Sequence, residues 1–169
     1  MNELVLIALR EERDLSGFDC GNDDMNQWLV RHAWASHKAD LARTWLALDD
    51  DIVAGYFALT TGSVRPEDAP RRVARGMPRY PIPIILLARL AVDVRYQGQR
   101  LGLRLLAEAL RRAVAASDTA AARVVVVDAI DDTAVAFYKR WGFIDTPDNP
   151  RRLYRRIADI RASLTNQPT

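Results

Sequence analysis

The chain has 169 residues, 49% of them hydrophobic and 27% charged, the length and make-up of one globular domain able to bury a core, so a single domain over residues 1–169 is expected. A formal net charge of +2 excludes nucleic-acid binding driven by bulk charge alone, and a single cysteine, Cys20, excludes an internal disulfide framework. The opening "MNELVLIALREERDL" has neither the basic start nor the cleavage site of a signal peptide. No run reaches the ~18–20 apolar residues of a membrane span, so a cytoplasmic protein is expected.

In chain order, "LVLIAL" (4–9) reads as a buried strand. The following "DCGNDDMNQWLVRHAWASHKAD" opens on acidic and Asn residues and then repeats Met25, Trp28, Leu29, Ala33 and Trp34 at helical spacing, predicting one amphipathic helix. "TWLALDDDIVAGYFALTTGSV" splits at Asp49–Asp51 into two β-prone runs, a hairpin signal. Residues 65–83 carry five prolines among mostly polar residues and predict a long loop. "IPIILLARLAVDV" (82–94) is too apolar to have a solvent face and predicts a buried strand. A helix follows over 101–116, with Leu105, Leu106, Ala109, Leu110 and Ala113 on one face and Arg104, Glu108, Arg111 and Arg112 on the other. "ARVVVVDAI" is a second buried strand, "DTAVAFYKRWGF" a short helix stopped at Gly142, and "RRLYRRI" a last strand. The sum is a mixed α/β layer fold with at least one strand–helix–strand crossover.

Of the 24 basic residues only Lys38 and Lys139 are lysine, and the rest are arginine. With the Ala-rich runs this matches codon usage in a GC-rich genome. The distribution is less even, because "VRPEDAPRRVARGMPRYP" sets Arg65, Arg71, Arg72, Arg75 and Arg79 against only Glu67 and Asp68. Two readings stand for this loop: a cationic patch, or a solvated segment of an arginine-biased chain. Arg89 differs, since it interrupts an apolar strand and must pair with a carboxylate or face a substrate. Cys20 reads as a small apolar filler, Phe137 and Trp141 as core, and His32 and His37 have no metal-type arrangement; no metal site is expected.

The stretch "VDVRYQGQRLGLRLL" (92–106) runs from strand through a turn into a helix. Helix-opening amides lack internal partners and sit at the positive end of the helix dipole, so such a turn can bind an anion. Gly98 and Gly102 allow close approach of a phosphate, and Arg95 and Arg100 supply charge. On this stretch alone a plain β–α turn with surface arginines accounts for the residues equally well.

"RLAVDVRYQGQRLGLRLL" resembles the acyl-CoA signature of the GNAT acetyltransferases, Gln/Arg-x-x-Gly-x-Gly/Ala, with Gln97 and Gly102 at its ends and Arg100 in place of the middle glycine. "DDTAVAFYKRWGF" resembles the family's second segment, a tyrosine-bearing helix followed by Gly-Phe. "FDCGNDDMNQWL", "ARTWLAL", "AGYFALTTGSV" and "PIPIILLARLAVD" extend the likeness to the TacT-like toxins of toxin–antitoxin pairs. The resemblance implies a GNAT fold, a mixed and mostly antiparallel sheet flanked by helices, whose splayed central strand pair binds acetyl-CoA. It implies an enzyme that acetylates the α-amine of aminoacyl-tRNA and so blocks translation, with a ribbon-helix-helix antitoxin as partner and a homodimer as a common state. A GNAT acting on a small-molecule amine or a protein N-terminus is the alternative.

Carried over residue by residue, the resemblance gives the pantetheine arm to the backbone of Leu90, Ala91, Val92 and Val94. It gives the pyrophosphate to the turn Gln97, Gly98, Gln99, Arg100, Leu101, Gly102 and Leu103, and a contact with the cofactor arm to Asp131. Tyr138 becomes the acid that protonates the departing thiolate. Arg71, Arg72, Arg75, Arg79 and Arg89 are the candidate tRNA contacts. No general base stands out, with Glu67 in the long loop and Glu108 on the outer helix face. An α-amine near pKa 8, lowered further by the ester beside it, needs one less than a lysine near 10.4 does.

Overall fold

The computed structural model describes residues 3–166. The chain forms two compact units, one from the segment up to Thr60 together with Ala88–Ala109, the other from Thr61–Leu87 together with the segment from Leu110 onward.

The first unit is built on β1 (Val5–Ala8), β2 (Arg43–Asp49), β3 (Ile52–Val64) and the second half of β4 (Ile82–Val92), neighbours in that order. β1–β2 and β2–β3 are antiparallel. The predicted hairpin is the β2–β3 turn, and Asp50 sits in it at φ 51, a left-handed conformation that aspartate tolerates better than most residues. At Gly55 a Cβ would lie 3.0 Å from the Ala91 carbonyl oxygen and 2.8 Å from Leu105, so only glycine lets β3 approach this closely. The core gathers Leu9, Leu15, Phe18, Met25, Leu29, Leu46, Tyr56 and Ala91.

The single helix expected over 19–40 is two: α1 (Asp23–Arg31), capped by the Asn22 side chain on the Met25 N–H, and α2 (Ala33–Lys38). In an unbroken helix Ala33 would lie about 80° round from Met25, and the break at His32 (φ −121) turns it back onto the core, where it is fully buried.

The second unit holds the first half of β4 with β5 (Val124–Asp128), β7 (Asn149–Arg156) and β6 (Ile144–Thr146). β4 and β5 pair in parallel from Ile84↔Val124 to Leu87↔Val127, while β4 itself continues to Val92. β5–β7 and β6–β7 are antiparallel. Val124–Val127 are all buried, as a strand covered on both faces requires.

The predicted loop 65–83 is more ordered than expected. Pro66–Asp68 forms one 3-10 turn and Arg71–Ala74 a short helix, α3, whose Val73 is fully buried beside Ile82 and Tyr154. Proline, lacking an N–H, starts both turns at no loss of a hydrogen bond. The predicted strand 82–94 ends at Val92, and Val94–Tyr96 is a 3-10 turn. α4 (Leu101–Thr119) and α5 (Asp132–Arg140) follow the predicted helices, with Gly142 at φ 91 beyond α5. Two elements went unread: β6, only three residues long, and α6 (Ile157–Thr165). Among the described residues no helix is long and apolar enough to cross a membrane.

Candidate active site

In the first unit, β4 runs into the turn through Asp93, which is fully buried. Its carboxylate accepts four hydrogen bonds: from the Arg95 N–H (2.9 Å), Arg95 Nε (2.8 Å), Arg95 Nη2 (2.9 Å) and the Asp19 N–H (3.1 Å). Burial alone would push its pKa up, but the Arg95 guanidinium and the two backbone donors outweigh it and hold the carboxyl below the usual range. Arg95 is therefore committed to Asp93 and does not supply free charge to the turn, contrary to the sequence expectation. The Gln97 side chain is likewise engaged, donating to the carbonyls of Cys20 (3.0 Å) and Val92 (2.9 Å).

The turn itself is built for approach by an anion. Gly98 stands at φ 78 and Arg100 at φ 62. A non-glycine residue in this left-handed region carries a strain of roughly 1–2 kcal/mol. The position that is glycine in the family's motif is thus left-handed here although the residue is arginine. The Arg104 N–H returns to the Arg100 carbonyl (3.2 Å), so the amides of the first turn of α4 have no partner further back along the helix. Nineteen aligned residues of α4 stand behind them. Leu101 is buried against Gly55 and anchors the turn, whereas Gln97, Gly98, Gln99 and Arg100 are exposed.

Along β4, Ala91 is buried and Leu90 and Val92 half-buried. Val94 departs from the expectation: its N–H is taken by the Asp19 carbonyl (2.8 Å), leaving no amide for a ligand.

In the second unit, α5 presents Tyr138. The ring is 6% exposed and packs edge-on against Phe137 (5.1 Å) and Phe143 (5.5 Å). Burial pushes its phenol pKa well above the ordinary value, so the hydroxyl keeps its proton. The other buried tyrosines bond their hydroxyls: Tyr56 to the Met25 carbonyl (2.8 Å), Tyr96 to Asp49 (2.6 Å) and Tyr154 to the Asp68 carbonyl (3.3 Å). Tyr138 has no such partner among the described residues and is not one of the buried polar atoms left without one, so its ring is buried while its hydroxyl reaches solvent, where a bound molecule can meet it. Asp131, expected to face a cofactor arm, instead caps α5, with Oδ1 accepting the Ala134 N–H at 2.8 Å.

The candidate substrate arginines divide. Arg72 pairs with Asp159 (3.3 Å), itself gripped by Arg156 (2.8 Å), and Arg65 pairs with Asp68 (2.8 Å). Arg71, Arg75 and Arg79 are exposed and make no ion pair among the described residues. Arg89 is half-buried in the first unit, with Nη1 3.6 Å from the Met25 sulfur and its guanidinium over the Trp28 ring at 5.4 Å. Residues missed from the sequence are Asp93, Asp19 and the Met25–Trp28–Tyr56 cluster. The signal for Asp93 was an aspartate ending an apolar strand with an arginine two positions on.

Comparison with known proteins bears on most of the chain. The sequence matches the acetyltransferase (GNAT) domain family over residues 40–145. A tRNA-acetylating toxin of Mycobacterium tuberculosis is 40% identical over 151 residues, covering 89% of this chain and 90% of that protein. The solved structure of AtaT complexed with acetyl-methionyl-tRNAfMet matches with a TM-score of 0.87 at 27% identity, covering 96% of this chain and 99% of that one. A tyrosine-to-phenylalanine mutant of the AtaT toxin, bound to the C-terminus of the antitoxin AtaR and acetyl-CoA, matches with a TM-score of 0.82 at 27% identity, covering 98% and 100%. With the family's two signature segments, the mixed α/β fold and these matches in agreement, the chain belongs to the GNAT acetyltransferase family.

Proposed function

We propose that this chain transfers the acetyl group of acetyl-CoA to the α-amine of an aminoacyl-tRNA, acting in the cytoplasm as the toxin of a toxin–antitoxin pair that blocks translation. The observation that carries the substrate is the likeness over 89% of the chain to a relative named as a tRNA-acetylating toxin. AtaT complexed with an acetylated aminoacyl-tRNA, and with its antitoxin and acetyl-CoA, supports the same acceptor, donor and partner.

The outward amides of Gln97–Leu103 hold the donor's diphosphate, with Gly98 and the left-handed Arg100 shaping the turn. Main-chain groups of Leu90, Ala91 and Val92 hold the pantetheine arm. The Val94 N–H is taken by Asp19 and the Asp131 Oδ1 by a helix cap, so Val94 serves the arm through its carbonyl and Asp131 through its other oxygen. The acceptor nitrogen attacks the thioester carbonyl, the C–N bond forms and the C–S bond breaks. Tyr138 gives its phenolic proton to the leaving sulfur, and the proton lost by the amine returns through water to the phenolate. An aminoacyl ester amine, lowered from the roughly 8 of a free α-amine, carries far more neutral form at physiological pH than a lysine near 10.4 and needs positioning more than deprotonation. Arg71, Arg75 and Arg79 contact tRNA phosphates without reading sequence.

The test is incubation with labelled acetyl-CoA and charged tRNA, wild type against Tyr138→Phe. Label on the aminoacyl end from the wild type alone is expected. Label confined to polyamines, peptides or protein N-termini overturns the proposed acceptor.

A further inference from the structure

The Gln97 side chain places both N–H groups of its amide on main-chain carbonyls: Val92 at the end of β4 (2.9 Å) and Cys20 in the segment before α1 (3.0 Å). Of the exposed turn residues Gln97, Gly98, Gln99 and Arg100, it alone hydrogen-bonds that segment among the described residues. The segment has no regular structure and closes on itself. Asp19 Oδ1 accepts the Gly21 N–H (2.8 Å) and Asn26 Nδ2 (2.9 Å), Asn26 Oδ1 accepts the Cys20 N–H (2.9 Å), and Asn22 caps α1. Whatever shifts Cys20 therefore shifts the start of α1. Further along α1, Met25 and Trp28 lie against Arg89, the residue before the stretch Leu90–Val92 proposed to hold the pantetheine arm. On the other side of Gln97 stands Arg100, a non-glycine residue strained at φ 62.

We infer that Gln97 is a positioning residue that couples the donor-binding turn to α1. The strained turn is held fully closed only when the donor's diphosphate occupies it. The Gln97 amide then fixes Asp19–Asn22, and with it α1, beside the thioester end of the donor. The inference rests on the diphosphate seat proposed above. An empty turn gains nothing from a left-handed Arg100 and relaxes part of the time. Relaxation takes Gln97 off at least one of its two carbonyls, since one side chain reaches both from a single place. A bound diphosphate accepts from the turn's amides in the strained conformation alone, the differential interaction that a population shift requires. Asp93 does not carry this signal, because it is buried at the strand end and holds the Asp19 N–H ahead of the strained part of the turn. By reciprocity, a fixed α1 tightens the donor by the same factor.

Cys20 is the chain's single cysteine and is half-buried in the clamped segment, so its alkylation by iodoacetamide reads the opening of that segment directly. Alkylation is followed by intact mass with and without saturating acetyl-CoA, and hydrogen exchange locates protection at residues 19–26 and 97–103, with exchange in β5 and β7 as the check on folding. In the wild type, acetyl-CoA is expected to slow both Cys20 alkylation and exchange at 19–26 by about 5- to 10-fold. Gln97→Met keeps the side chain's length and removes its donors. Its donor effect at 19–26 should shrink to within about twofold while protection at 97–103 persists. Gln97→Arg restores N–H donors and should recover part of the effect. Arg100→Gly keeps the clamp and relieves the strain, so without acetyl-CoA its Cys20 should react about 2- to 5-fold more slowly than that of the wild type. Donor protection of Cys20 that survives in Gln97→Met means direct cover by the ligand and overturns the clamp. Wild-type protection at 97–103 without protection at 19–26 overturns it too, as does Arg100→Gly reacting at the wild-type rate. Acetyl-CoA that binds without protecting 97–103 overturns the diphosphate seat, and the clamp's trigger with it.

Discussion

The Asp93 carboxylate grips the Arg95 guanidinium at two points, Nε to Oδ1 at 2.8 Å and Nη2 to Oδ2 at 2.9 Å, while itself fully out of solvent. The same carboxylate holds the Asp19 N–H, and the Asp19 carbonyl in turn holds the Val94 N–H. Three segments of the first unit therefore meet at one buried charge: the loop before α1, the end of β4 and the turn that leads to α4.

Replacing Asp93 by alanine leaves the Asp19 and Arg95 N–H groups without their acceptor. A destabilisation of about 2–4 kcal/mol is expected in urea denaturation, since each stranded buried donor is worth about 1–3 kcal/mol. Because the folded-state pKa lies below the unfolded value, Asp93 stabilises the fold above the ordinary carboxylate range, and that stability is lost as pH falls through the folded pKa. Melting temperature measured from pH 7 to pH 3 should fall for the wild type and less steeply for Asp93→Ala.

Tyr138 and Tyr56 make a matched pair of buried phenols with opposite expectations. Tyr56→Phe breaks the bond to the Met25 carbonyl and should lose about 0.5–1.5 kcal/mol in urea denaturation with its catalytic rate largely kept. Tyr138→Phe removes a hydroxyl with no partner among the described residues and should leave stability within about 0.5 kcal/mol, yet lower kcat by roughly 10²–10⁴. Since burial raises the Tyr138 pKa, the wild-type rate should show no loss from phenol ionisation up to pH 10 and should follow the acceptor amine instead. A Tyr138→Phe enzyme with near wild-type kcat removes the tyrosine from the reaction.

Much of this was legible in the sequence because it is written in local pattern. Alternation between apolar strands and leucine-rich helices gave β4, α4 and β5 nearly to their ends, and the glycine-containing turn and Tyr138 stood in recognisable segments. What was not legible depends on contacts far apart in sequence. The Asp93–Asp19 bond spans 74 residues, and Arg72 finds Asp159 across 87. Neither partner choice leaves a trace in local composition. The break between α1 and α2 had the same origin, since a continuous helical pattern cannot announce where the core forces a turn. α6 was readable: Ile157, Ile160 and Leu164 keep helical spacing, but they follow the last strand with no intervening turn signal.

Arg100 keeps a left-handed backbone, so the usual ranking of alanine over glycine should reverse there. Arg100→Gly relieves the strain and Arg100→Ala retains it. The glycine variant should be the more stable by roughly 0.5–1 kcal/mol, after the extra freedom that glycine gives the unfolded chain. Both variants lose the guanidinium, so a common drop in acetyl-CoA affinity in isothermal titration measures its charge. A further difference between them measures how well the turn's amides are aligned. Alanine more stable than glycine would mean that the turn does not hold residue 100 left-handed in solution.

The arginines around α3 should not act alike. Arg71, Arg75 and Arg79 carry unpaired charge among the described residues, whereas Arg72 shares Asp159 with Arg156. Charge reversal to glutamate at Arg71, Arg75 and Arg79 together should weaken use of charged tRNA strongly and with reduced salt dependence, while acetyl-CoA KM stays unchanged. Reversal at Arg72 sets like charges together and should act first on stability, and more so near neutral pH. In the wild type the Arg156 and Arg72 guanidinium groups hold the Asp159 pKa at about 2; in the variant the introduced glutamate, ordinarily about 4.3, takes up its proton first, so the repulsion fades as pH falls through about 4. Melting curves of Arg72→Glu at pH 7 and pH 3, set beside tRNA kinetics at pH 7, separate the two effects. A triple variant that acetylates charged tRNA as the wild type does would leave those three arginines as solvated surface.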